Sequence, residues 1–152
     1  GVCAVVLRLF NIIKPNSAIF GEKDFQQYKI IQRLVAELFL PITIICQPVI
    51  RETSGLAMSS RNKYLTSSQL IEAASIYKSL TTAKTQFKHG KARSVSEIKT
   101  LILNQLSDNI SLDYCVIIDP DSLKETREPS HGNRILFAGY LNKTRLIDTI
   151  EI

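Results

Sequence analysis

The sequence predicts an α/β fold: a truncated parallel sheet with crossover helices, then a small α+β domain with a three-stranded antiparallel sheet. Three observations carry the prediction. Helix-like and strand-like segments alternate from residue 1 to residue 46, and the run Ile42-Thr43-Ile44-Ile45-Cys46 is β-rich and continuous, as in a strand covered on both faces. The chain then closes on three β-rich runs that follow a largely helical stretch. At 152 residues, 45% hydrophobic and 22% charged, it is long and apolar enough to bury a core.

Each element has its own signal. Val2, Val5, Val6, Leu9, Phe10 and Ile13 recur at helical spacing and give the first helix one apolar face. Pro15 and Asn16 stop it, and residues 17–20 read as a short buried strand. A second helix is expected over residues 25–39, with Tyr28, Ile31, Leu34, Val35 and Leu38 on its apolar side and Pro41 closing it. Residues 51–62 read as a loop, and a long helix follows over residues 67–88, opened by the Thr66 to Gln69 capping pattern. Gly90 turns the chain into a helix that starts at the Ser94 to Glu97 capping box and runs to residue 107. The final strands are expected at 112–118, 134–141 and 144–150, and the domains at 1–63 and 64–152.

Composition narrows the function classes. No apolar run is as long as a bilayer requires, and the first residues lack a secretory signal, so a cytoplasmic location without membrane contact is expected. Cys3, Cys46 and Cys115 are odd in number and set among apolar residues, which suits buried thiols better than a disulfide framework. His89 and His131 stand near no cysteine or carboxylate pair at ligand spacing, so no metal site is expected. The formal charge of +5 fits a phosphate-bearing ligand, an ordinary basic surface or nucleic acid. No Lys/Arg cluster is interleaved with aromatic residues, and no nucleic-acid partner is expected.

Two segments carry candidate chemistry. Gly21-Glu22-Lys23-Asp24 lies where a strand gives way to a helix, the edge at which open parallel sheets bind ligands. A glycine, a cation and free helix N–H groups together suit a phosphate there. The same residues also fit an ordinary capping box, with Asp24 as N-cap, Gln27 at N3 and Lys23 a solvated charge. Met58-Ser59-Ser60-Arg61 offers two hydroxyls and a guanidinium that suit polyphosphate oxygens, and equally fits a turn into the next helix.

Read together, FGEKDFQQ at 20–27, PVIR at 48–51 and GLAMSSRN at 55–62 resemble the pantothenate synthetase (pantoate-beta-alanine ligase) family, and specifically its carboxy-terminal portion. The resemblance runs over essentially the whole chain and weakens across residues 67–107. It implies a Rossmann-like nucleotidyltransferase sheet and an ATP-dependent ligase that joins pantoate to β-alanine through a pantoyl adenylate. Mg2+ would accompany ATP, and the full-length protein would be a homodimer. By the same resemblance Gly21, Glu22, Lys23 and Asp24 line ATP, with Lys23 on the phosphates and Asp24 nearer the ribose. Ile50 and Met58 lie near adenine, and Ser59, Ser60 and Arg61 bind the phosphates; Lys23, Ser59, Ser60 and Arg61 are the expected catalytic residues. Gln27 hydrogen-bonds pantoate, while Val2, Val5 and Val6 form the wall against its gem-dimethyl group.

Three departures from the family pattern stand out: Phe25 where Tyr is frequent, Cys46-Gln47 where small residues are usual, and Thr149 where Asn is common. The family's histidine-bearing HxGH-type segment does not occur in the sequence and is expected ahead of Gly1, so the chain alone is expected to be inactive. A nucleotide-binding regulatory module that keeps the phosphate loops without catalysis is the alternative of another class. A start codon immediately before Gly1 would favour that module, and continuous upstream coding the ligase.

Overall fold

Thirteen residues of α2 (Phe25–Glu37) and twelve of α1 (Val2–Ile13) flank a parallel pair of strands, β1 (Ser17–Gly21) and β2 (Thr43–Gln47), in the order the sequence predicts. The computed structural model describes residues 1–152 and divides into two compact units, Gly1–Val49 and Ile50–Ile152.

In the first unit the strands pair in register from Ser17 opposite Thr43 to Gly21 opposite Gln47. Ala18, Phe20, Ile44, Leu34 and Leu40 pack around the buried trio Phe10, Ile31 and Val35. Burial alternates along both strands, so the expectation of cover on both faces holds for one face only. Ile19 and Ile45 stand on the open face at 67% and 42% exposure. The apolar stripe expected of α1 is likewise divided. Cys3, Val6 and Phe10 turn inward, whereas Val2, Val5, Leu9 and Ile13 are exposed. The helix is apolar over a wide arc, wider than the single face its neighbours in this unit can cover. It ends at Lys14, whose N–H makes the last helical bond, to the Phe10 carbonyl, before its left-handed backbone (φ 52°) turns the chain away. Helix α2 stops at Glu37, short of the expected residue 39, because Phe39 takes a positive φ of 51° and Leu40 N–H turns back to Val35 O.

The second unit carries α3 (Ser67–Ala73), α4 (Ser75–Lys88), α5 (Val95–Leu103), β3 (Ile110–Ile118), β4 (Arg134–Leu141) and β5 (Thr144–Glu151). Its sheet is antiparallel in the order β3-β4-β5, with a register shift between Leu112 and Tyr114. Helices α4 and α5 lay Ile76, Leu80, Ile98 and Ile102 onto Ile117, Ile135 and Phe137 of the sheet, all of them almost fully buried. Both expected capping boxes form, at Thr66 with Gln69 and at Ser94 with Glu97. The single helix expected over residues 67–88 is instead two, broken at Ala74. On either side of that break Glu72 and Ser75 accept bonds from the Ser107 hydroxyl and backbone N–H. Ser107, held by the same bonds, lies outside α5, which ends at Leu103 and not at residue 107.

Residues 50–63, grouped by sequence with the first domain, fall within the second unit. An Arg51–Asp148 pair and a Gly55–Tyr77 contact fasten them to β5 and α4.

Candidate functional site

In the first unit the candidate residues cluster at the carboxyl edge of the sheet. Gly21 closes β1, and a 3-10 turn, Glu22–Asp24, leads directly into α2. Buried Phe25 anchors the turn, and Tyr28 lies with its ring 6.0 Å away. Gly21 has an ordinary φ of −73°, and a Cβ there would meet nothing within 4 Å, so the fold itself does not require glycine at this position. Glu22 and Lys23 are half-buried, while Asp24 and Gln27 are exposed. Asp24 makes no side-chain capping bond, which overturns the capping-box alternative for Asp24 and Gln27. The first turn of a 13-residue helix thus begins without a side-chain cap next to a lysine. Of the residues expected to touch pantoate, Val2 and Val5 lie on the exposed flank of α1 and Val6 is half-buried.

In the second unit the loop is a short, tightly tied hairpin. Met58 N–H donates to Ile50 O at 2.9 Å, bringing those two candidate residues together, and Glu52 N–H donates to Leu56 O at 2.9 Å. Ser59 then caps a 3-10 turn, Ser60–Tyr64, its Oγ accepting from Arg61 N–H at 3.2 Å. Asn62 is buried, its Nδ2 donating to Ala57 O, and its Oδ1 meets no donor. Ser60 and Arg61 are exposed. Arg61 opens onto a depression of about 900 Å³ that Tyr64, Gln69, Lys143 and Arg145 also line. Arg145 is bound by Asp113 at 2.8 Å, and the hydrogen bonds it donates to that carboxylate raise the guanidinium above its ordinary pKa.

Sequence reading missed what holds this loop. Arg51 grips the nearly buried Asp148 carboxylate with two bonds, 2.6 and 2.9 Å, across 97 positions of sequence. Its guanidinium also stacks 3.7 Å above the Tyr77 ring. Nothing in the local pattern of any of the three residues signals the partnership. Cys115 lies in the core, where burial pushes its thiol up to about 11, outweighing an opposing pull from Lys99, so it is no nucleophile near neutral pH. No group of three or more His, Cys, Asp and Glu side chains is placed to hold a metal ion, and no helix is long and apolar enough to cross a membrane.

Comparison with known proteins places these segments in a family. The profile of pantoate-beta-alanine ligase matches residues 1–151. The pantothenate synthetase of Thermotoga neapolitana is 41% identical over 150 residues, covering 97% of this chain and 53% of that protein. The crystal structure of pantothenate synthetase from Thermus thermophilus superposes with a TM-score of 0.92 at 35% identity, covering 99% of this chain and 54% of that one. The pantoate-beta-alanine ligase of Francisella tularensis, solved in complex with beta-gamma ATP and beta-alanine, matches with a TM-score of 0.69 at 34% identity, over 99% of this chain and 49% of its own. The chain spans about half the length of the relatives it matches. With a nucleotidyltransferase-like arrangement of elements and a family match that includes both candidate segments, the chain belongs to the pantoate-beta-alanine ligase family.

Proposed function

We propose that the chain is one portion of a cytoplasmic, ATP-dependent ligase, homodimeric at full length, that condenses pantoate with β-alanine. A pantoate carboxylate oxygen attacks the α-phosphorus of ATP, the bond to the bridging oxygen breaks, and pyrophosphate leaves with that electron pair. The β-alanine amine then attacks the acyl carbonyl, loses a proton, and AMP departs. Mg2+ enters with ATP as part of the substrate complex. The observation that carries this reading is the family match over residues 1–151, both candidate segments included.

The chemistry of the residues supports the roles. Adenylation builds negative charge on phosphate oxygens, so fixed cations and hydroxyls stabilise the transition state more than the ground state. Lys23 supplies a cation beside the uncapped start of α2, and Ser59, Ser60 and Arg61 supply hydroxyls and a guanidinium from the tied loop. Gly21, whose Cβ would meet none of the chain's own atoms, keeps the backbone open to close approach by ATP, with Glu22 and Asp24 beside it. Ile50 and Met58, paired across the loop and exposed, offer apolar surface to adenine. Gln27 serves pantoate's polar end, and the exposed Val2 and Val5 with the half-buried Val6 serve its gem-dimethyl end. In function the nucleotide-binding portion extends through residue 63, and the antiparallel-sheet domain, residues 64–152, serves to exclude water from the adenylate.

In this reading the chain is the carboxy-terminal portion, and a histidine-bearing portion ahead of Gly1 completes the site. The chain alone should give no ATP- and pantoate-dependent pyrophosphate release, and should do so once joined to that portion. Release by the pure chain would refute the division of labour. A histidine segment encoded after Ile152 would place the chain at the other end of the enzyme.

A further inference from the structure

We propose that Arg51 is the positioning residue of the Ser59-Ser60-Arg61 segment, holding it in place through Asp148 and Tyr77 without touching substrate. The inference rests on the phosphate-binding role proposed above for that segment.

The geometry accounts for every link. Asp148 sits on β5 with its side chain 3% exposed, and its Oδ1 accepts from both Arg51 Nη2 at 2.9 Å and Thr149 N–H at 2.7 Å. Its Oδ2 accepts from Arg51 Nη1 at 2.6 Å, and the same Nη1 reaches Gly55 O at 3.1 Å. The guanidinium carbon lies over the Tyr77 ring of α4, 3.7 Å from its centroid. One side chain therefore joins the sheet, a helix and the tip of the loop. A planar fork bound at both tines and stacked on a ring fixes orientation as well as distance, which an ammonium does not.

The constraint passes to the phosphate-binding residues through the backbone. Arg51 and Ala57 form an antiparallel bridge, and Met58 N–H is tied to Ile50 O. Asn62 Nδ2 holds Ala57 O from the far side. Ser59, Ser60 and Arg61 fall between those fixed points, so their directions are set by Arg51, Ala57 and Asn62, to which no ligand is assigned, together with the backbone of Ile50 and Met58. A buried ion pair by itself is weak support for stability, and what this one adds is a single geometry for an otherwise exposed loop.

The test uses the complete ligase, comparing Arg51→Lys, Arg61→Ala and the double variant by pantoate-dependent adenylation and by thermal unfolding. Arg51→Lys is expected to keep an unfolding midpoint close to the parent's while lowering kcat/KM for ATP by about 10- to 100-fold, with KM for β-alanine unchanged. Because Arg51 acts through the segment that includes Arg61, the double variant should be no slower than Arg61→Ala. An Arg61→Ala enzyme with full activity would overturn the loop's role and this proposal together. If Arg61→Ala fails while Arg51→Lys keeps full activity, or if the two losses multiply, the clamp alone is overturned.

Discussion

Cys115 shows how far a single residue's environment departs from what its letter conveys. Its thiol, 4% exposed, is raised from its ordinary 9.0 to about 11, burial being the larger cause. The folded state keeps this proton while the unfolded chain releases it, so the thiol's contribution is intact below pH 9 and is lost as pH rises toward 11. The loss should reach about 3 kcal/mol at most. Urea melts across that window should show a steeper alkaline decline for the parent than for Cys115→Ala, and parallel declines would contradict the assignment. The apolar neighbours of Cys115 made its burial legible in the sequence, whereas Cys3 and Cys46, expected to be buried on the same grounds, are half-buried. The pairing of Arg51 with Asp148 was not legible, because sequence neighbours say nothing of a partner 97 positions away. Thr149, a departure from the family pattern, proves to be fully buried, its hydroxyl donating to Ile135 O at 2.8 Å.

At the scale of elements, the loop from Ile50 to Asn62 depends on one glycine. Gly55 takes φ +88°, and a Cβ there would stand 2.5 Å from Tyr77 Cδ1, so an alanine meets both an unfavourable backbone and an aromatic ring it must displace. Gly55→Ala should destabilise the second unit by about 2 kcal/mol and weaken ATP use in the complete ligase. Unchanged unfolding and unchanged kinetics would show that the ring moves aside freely. Helix starts were legible here because capping is local chemistry: Thr66 with Gln69 and Ser94 with Glu97 form as their spacing predicts. Helix ends were less so. The break at Ala74 and the early end of α5 coincide with bonds among Glu72, Ser75 and Ser107, contacts formed only after folding. The inward side of α1 was partly misread because its apolar residues span more arc than the chain's own neighbours cover.

For the molecule as a whole, element order and strand pairing were legible, since alternation of helical and β-rich segments restricts the topology strongly. The division at Val49 was not, because residues 50–63 carry no periodicity to reveal which core they join. The two units bury unequal cores. The second packs two helices on a three-stranded sheet, while the first leaves Ile19, Ile45 and a flank of α1 uncovered, as suits a sheet proposed to continue in a further portion of the ligase. The central claim, that Lys23 and Arg61 both stabilise adenylation of pantoate, is tested most directly by pantoate-dependent exchange of labelled pyrophosphate into ATP in the complete ligase, with β-alanine omitted. Lys23→Ala and Arg61→Ala should each slow exchange by on the order of 100-fold, equivalent to about 3 kcal/mol, with folding intact. Exchange at the parent's rate in both variants would contradict it.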